Sequence, residues 1–336
     1  MAANLKDVAA RAGVHPGTAS RALNPATQSL VSEATVRAVR EAAKALDYRP
    51  NPMARGLKTN KTMMVGIVVP DLSNPLFPPI VRGAEEVLAR GGYSTVIADT
   101  DNEVEREVEA IAALRARQVD GLLVASAHRS DPAVVNAASQ GVPLVLVNRR
   151  AEGASIPTVA SDDRSGIEQA VRHLVSLGHS RIAHLPGPSS LSTGFERARA
   201  FRYVLGELGG DLAPELTEEC ETYSVAAGER AAHAVLERAR PTAILAGNDQ
   251  IAIGVLDALR ARGLRCPEDV SVVGYNDMTF MDKLSPPLTT VRVPHAAIGQ
   301  EAAQILVRWL TEGPPGVSLV SLPVELVVRG STASPA

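Results

Sequence analysis

Apolar Leu5, Val8, Ala9 and Ala12 recur at the three- and four-residue spacing of a helix with one buried face. A second short helical pattern runs from Pro16 to Asn24. Gly13 supplies a sharp turn between them, and Val14 is placed to fill the gap. Pro16 fits the first helical position, where its missing N–H costs nothing. Ser32 can cap a third helix with Glu33 in its first turn, and Val36, Val39, Ala43 and Leu46 form that helix's apolar stripe. The stretch Tyr48–Lys58 is too short and too polar to join a core. After residue 60 the pattern changes to short apolar, often β-branched runs: MVGIVV, YSTVIA, DGLLVA, PLVLV, RIAHL, TAILAG and VSVVGY. Helical stretches lie between most of them, including Pro79–Arg90, Val104–Arg117, Ser165–Leu177 and Asp249–Arg262. Such alternation predicts parallel sheets covered by helices on both faces. The strands are too many for one small sheet, so the expected fold is a small all-α head on an α/β body of two lobes.

The polar residues of the second helix, Thr18, Ser20, Arg21 and Asn24, fall largely on one side. A helix-turn-helix presents its recognition helix to the DNA major groove in this way. The order of DVAARAGVHPGTASRALN, LDYRPNPMARGLKT and VGIVVPDLSNPLF, followed by HLVSLGHSRIAHLPG, AGNDQIAIGVL, SVVGYNDM and PLTTVRVPHAAIGQEA, resembles the lactose-repressor (LacI/GalR) family of bacterial transcription regulators. The resemblance covers nearly the whole chain, and the ordered set is far more specific than any single motif.

The resemblance implies a helix-turn-helix domain over 1–49, a hinge helix and linker over 50–60, and a two-lobed periplasmic-binding-protein-like body over 61–330. Lobe crossings are expected near 160–163, 291–294 and 320–323, with a short polar tail over 331–336. It also implies a homodimer on a pseudo-palindromic operator in double-stranded DNA, whose affinity a small molecule in the interlobe cleft controls. Relatives often carry large polar readers at the two positions opening the recognition helix, but here these are Pro16 and Gly17, which cannot hydrogen-bond a base. Base reading then falls on His15, Thr18, Arg21 and Arg55, with Arg21 suited to guanine. Thr18, Ser20, Asn24, Ser32 and Thr35 are expected phosphate contacts, and Asn51 joins the DNA-contacting set. Leu57 matches the hinge-helix leucine that wedges into the minor groove. Beside it, Gly56 costs a helix about 1 kcal/mol relative to alanine, so the hinge should form only with DNA and partner present.

Open α/β sheets bind ligands at the carboxyl ends of their strands. By motif, Arg197, Asn248 and Asn276 match the family's polar effector contacts. Phe77 and Tyr223 match apolar walls, and Thr193 and Asp162 are further candidates. Asn248 and Asp162 also stand where they can cap helices. Asn276 replaces the usual Asp after the Gly-Tyr pair, and an amide donates where an ionised Asp only accepts. An inducer such as a sugar and a corepressor such as a nucleobase both remain open.

Composition adds limits. The 336 residues carry a net charge of −3, but residues 1–60 hold nine Lys/Arg against four Asp/Glu and the remainder twenty-five against thirty-three. A basic head on an acidic body suits phosphate binding at one end. The opening MAANLKDVAA lacks a signal peptide's basic stretch and apolar core, and no apolar run approaches a membrane span, so a cytoplasmic protein without a membrane partner is expected. The chain ends soon after VELVVRG with no heptad helix, which favours a dimer over a tetramer. Cys220 and Cys266 lack metal-type spacing, and GxSxG, GxxxxGK[ST], HExxH and strand-borne GxGxxG motifs are missing. His173, His179 and His184 are read as packing and capping residues, and the acidic run Asp99–Glu109 as a solvated loop and first helical turn. No enzyme chemistry, cofactor or metal is expected. A transporter's solute-binding protein and a sugar-modifying enzyme are the rival classes.

Overall fold

The computed structural model describes residues 3–24, 27–48, 61–153, 155–316 and 318–335. The chain divides into two compact units, Met1–Thr62 and Met63–Ala336.

In the first unit, α1 (Leu5–Arg11), α2 (Pro16–Leu23) and α3 (Glu33–Ala45) surround a core of Val8, Ala9, Ala19, Ala22, Val39, Ala42 and Ala43. Each helix starts on a capping side chain. Asn4 and Asp7 form a reciprocal capping box on α1, while the Ser32 hydroxyl accepts from Thr35 N on α3 at 3.3 Å. Gly13 turns the chain with φ +67°, a conformation that costs glycine nothing. Val14 and Val36 pack against the core from its margin. So does Tyr48, whose N–H donates to Ala43 O at 2.9 Å. The core therefore extends to Tyr48, because an aromatic ring one turn past a helix can cover its open end even in a polar stretch.

The second unit holds two sheets. β1 (Met64–Val69), β2 (Ser94–Asp99), β3 (Gly121–Val124), β4 (Leu144–Val147), β5 (Thr158–Ser161) and β10 (Leu319–Leu322) form an all-parallel sheet in the order β10-β5-β4-β3-β1-β2. β6 (Ile182–Leu185), β7 (Ala243–Ala246), β8 (Ser271–Asn276) and β9 (Thr289–Arg292) run parallel in the other, which β11 (Glu325–Val327) closes antiparallel to β9. The chain passes between lobes after β5, after β9 and between β10 and β11.

Helices α4 (Phe77–Arg90), α5 (Val104–Ala116) and α6 (Pro132–Ser139) follow strands of the first sheet, and α7 (Asp163–Ser176), α8 (Ser192–Glu207), α9 (Val225–Arg238) and α10 (Asp249–Ala261) belong to the second. α11 (His295–Glu312) returns to the first lobe and lies along α4. Gly83 and Gly299 permit that approach: a Cβ on Gly83 would meet Ala296 O at 2.1 Å, and one on Gly299 would meet Ile80 O at 1.9 Å. α4 starts at Phe77, two residues before the expected Pro79, because proline is tolerated within the first helical turn.

Residues after β11 are docked against the second lobe and do not form a free polar tail. Ser331 is fully buried, donating to Val272 O at 2.6 Å and accepting from Thr289 N at 2.8 Å. His179 Nε2 lies 2.8 Å from Ala333 O. Among the described residues, no helix is long and apolar enough to cross a membrane.

Candidate functional site

The carboxyl ends of both sheets' strands face a narrow cleft. Phe77, at the start of α4, and Leu76 supply its apolar surface, with Asn74 alongside. Across the cleft stand Thr193 and Arg197 from α8, Tyr223, Asn248 at the end of β7, and Asn276 at the end of β8. The free space between these side chains is about 20 Å³, room for about one water molecule and far below a ligand-sized pocket, so the lobes must part to admit a ligand.

Arg197 is 2% exposed, and its setting is fixed on three sides. Nε donates to Asp163 Oδ1 at 3.0 Å, Nη1 donates to Gly247 O at 2.8 Å, and the guanidinium lies 3.7 Å over the Tyr275 ring. Burial works against its charge, but Asp163, Tyr223 and Tyr275 outweigh it and hold the pKa above the ordinary arginine value. Tyr223 donates to Thr193 Oγ1 at 3.0 Å, and burial raises its hydroxyl pKa. The ring reaches this place because Gly187 leaves room; a Cβ there would meet it at 2.2 Å. Asn248 accepts from Ile251 N at 2.8 Å, so it caps α10 and lines the cleft at once. Asn276 Oδ1 is buried with no donor to accept from. Such an atom costs free energy until something supplies a hydrogen.

Of the residues singled out in sequence, Phe77, Thr193, Arg197, Tyr223, Asn248 and Asn276 come together here. Asp162 does not. It lies outside the cleft lining, and its Oδ1 accepts from Ser165 N at 3.0 Å as the cap of α7, because a short carboxylate before a helix meets the free N–H groups first.

Asn148 and Arg149 also line the cleft, and the sequence reading missed them although they follow β4 directly. Arg149 is 4% exposed; Nη1 donates to Ser126 O at 2.9 Å and Nη2 to Asn102 Oδ1 at 3.4 Å. Burial pulls its pKa down to about 10.

Behind Arg149 lies a carboxyl cluster that corrects the reading of Asp99–Glu109 as solvated. Glu107 is 1% exposed, and one of its oxygens accepts from the Ser126 hydroxyl. The other lies against the Asp131 carboxylate, without a donor of its own. Burial, then Asp131, pushes the Glu107 pKa up to about 8. Glu107, His128 and Asp131 place possible ligand atoms within 4.8 Å of one another, the one such cluster among the described residues. The charge of Arg149 acts on both Glu107 and His128 and opposes a cation there.

In the first unit, Thr18, Ser20 and Arg21 lie on α2, and Asn24 ends it. His15 Nδ1 accepts from Gly17 N at 3.1 Å, which makes the residue the cap of α2 and leaves Nε2 to carry the ring proton. Ser32 and Thr35 pair their hydroxyls at 2.9 Å at the start of α3. Asn51, Arg55, Leu57 and the rest of the expected hinge fall outside the described residues.

Comparison with known proteins covers both units. The profile described as "Bacterial regulatory proteins, lacI family" matches residues 4–51, and that described as "Periplasmic binding protein-like domain" matches 171–332. The HTH-type transcriptional repressor CytR of Escherichia coli K12 is 32% identical over 333 residues, covering 98% of this chain and 96% of the relative. The HTH-type transcriptional regulator MalR of Streptomyces coelicolor is 36% identical over 345 residues, covering 99% and 98%. Among solved structures, the lac repressor dimer bound to operator and the anti-inducer ONPF superposes with a TM-score of 0.88 at 30% identity, covering 99% of this chain and 100% of that one. The regulator CelR in complex with cellobiose gives 0.75 at 34% identity, covering 98% and 99%. The chain belongs to the LacI family of DNA-binding bacterial transcription regulators.

Proposed function

We propose that the protein is a homodimeric repressor whose grip on a pseudo-palindromic operator is set by a small metabolite, a sugar or sugar derivative, held between the lobes. The observation that carries this reading is the enclosed polar cleft with the unpartnered Asn276 oxygen, in a chain that also bears a helix-turn-helix. Arg197, Asn148, Asn248 and Asn276 hydrogen-bond the effector, while Phe77 and Tyr223 cover its apolar faces. On the DNA side, His15, Thr18, Arg21 and Arg55 read bases. Ser20, Asn24, Ser32, Thr35 and Asn51 hold the backbone, and Leu57 opens the minor groove. The activity is binding, not catalysis, and effector and operator communicate only through the effector's differential affinity for the two states.

The test is selection of genomic fragments by the purified full chain at fixed salt, because phosphate-driven affinity depends steeply on it. A short palindrome is expected; weak binding without sequence preference would sink the reading. With the operator known, Leu57→Ala is expected to lower operator affinity by about tenfold or more while leaving cleft binding intact. Arg197→Lys keeps a cation beside Asp163 but loses the fork to Gly247. It is expected to abolish the effector response and spare DNA affinity; a normal response would move the effector site elsewhere.

A further inference from the structure

We propose that the effector is an anion, a small molecule whose carboxylate or phosphate pairs with Arg149. The inference rests on the cleft being the effector site and assigns that site a charge. The lining includes two arginines and no carboxylate; where polar side chains follow β4, β7 and β8 they are the amides Asn148, Asn248 and Asn276. The two cations differ. Arg197 has its counter-ion built in, Asp163 at 3.0 Å. Arg149 is just as buried, yet it forms no ion pair among the described residues and donates only to the neutral acceptors Ser126 O and Asn102 Oδ1.

A buried cation without a counter-charge is expensive. The Glu107 and Asp131 carboxyls behind it make no ion pair with the guanidinium, and Glu107 acts on Arg149 only through space. An oxyanion in the cleft supplies the missing direct counter-ion through charge-assisted bonds to a guanidinium that is already held in place. A neutral polyol satisfies the amides and gives Arg149 no direct counter-ion.

The test uses the full-length protein at constant ionic strength near neutral pH, with thermal unfolding and calorimetry as readouts. The probes are inorganic phosphate, acetate, gluconate and glucose 6-phosphate, with glucose and glycerol as neutral counterparts. Ligands that bind the native state raise its melting temperature. At least one anion is expected to bind about tenfold or more tightly than its neutral counterpart, and the phosphate and carboxylate arms tell which oxyanion is preferred. Arg149→Gln is expected to erase that preference. Should this variant fail to fold, Asn148→Asp serves instead: it is isosteric, sits at φ +66°, which both residues tolerate, and places a carboxylate in the lining. It is expected to weaken anion binding by a similar factor.

Three results overturn the proposal: neutral ligands binding as tightly as their acids, no stabilisation by any anion at ~10 mM, or stabilisation that survives both variants. The last places the anion elsewhere, as on the arginine-lined groove of Arg181, Arg238, Arg240 and Arg262. None of these touches the effector reading itself. That reading fails separately, if ligands that bind the cleft leave operator affinity unchanged.

Discussion

On α5 the buried residues are Glu107, Ile111 and Leu114, four and then three residues apart, while Val104 and Val108 are 45% and 48% exposed. Helical spacing thus places a glutamate on the inward stripe and two valines outside it. The position was legible in the sequence; the residue types disguised it, since an acidic run invites a solvated reading. Because the Glu107 pKa rises to about 8 on folding, the folded state binds more protons than the unfolded chain between the two values. Stability therefore falls as pH climbs through that window and is regained on acidification toward the ordinary carboxyl range. Glu107→Gln keeps an acceptor for Ser126 and offers Asp131 a permanent donor. It is expected to raise the melting temperature at pH 8 and to flatten the slope of stability between about pH 5 and 8. A slope identical to that of the parent protein would show that the carboxyl stays ionised in its buried place.

At the level of elements, the contact between α4 and α11 is the least forgiving joint in the first lobe. Gly83 and Gly299 set backbone against backbone, with no flexible side chain on the other side to yield. Gly83→Ala gains helix propensity of about 1 kcal/mol, but the methyl would have to push Ala296 aside. The net expectation is a loss of about 1–3 kcal/mol in chemical denaturation, the usual cost of overpacking. An unchanged midpoint would mean that the helices slide apart freely.

Long apolar strands such as β1 and β8 could be read directly because burial on both faces leaves an unbroken run. The short strands TVAS, TTVR, LVSL and ELV at the crossings carry polar residues at intervals and have no such signature. They were not read from the sequence, where the family resemblance placed only the crossings beside them. The strand-end rule that found Asn248 and Asn276 applies equally to Asn148 and Arg149, so the signal for those two was present and unused.

Across the whole second unit, the crossings are braced within the second lobe and the lobes are tied at the cleft. Asp277, in the loop after β8, bonds Arg292 at 2.8 Å and Arg329 at 2.7 Å, holding the second-lobe ends of two connections. At the cleft, Arg129 N donates to Ser190 O at 2.9 Å and its Nη1 to Ser189 O at 3.1 Å, while the guanidinium lies 3.6 Å over the Phe195 ring. Arg150 N donates to the Ser192 hydroxyl at 2.8 Å. Arg129→Ala removes the side-chain bond and the ring contact but leaves the main-chain bond. It is expected to shift the unit toward a more open form, seen as a larger radius of gyration in solution scattering and faster ligand release. Scattering and release rates equal to the parent's would show that the crossings alone set closure.

The latch on Ser189 and Ser190 has a consequence for how such a regulator diversifies. Its acceptors there are main-chain carbonyls, present whatever side chains those positions carry, so sequence drift at 189 and 190 leaves the acceptors in place. The side-chain part of that latch is vested in Arg129, which does not line the cleft. If Arg129→Ala alters release as expected, sensitivity and specificity are encoded at separate positions. A lineage facing a different metabolite concentration can retune its threshold by a single codon without disturbing what the cleft recognises.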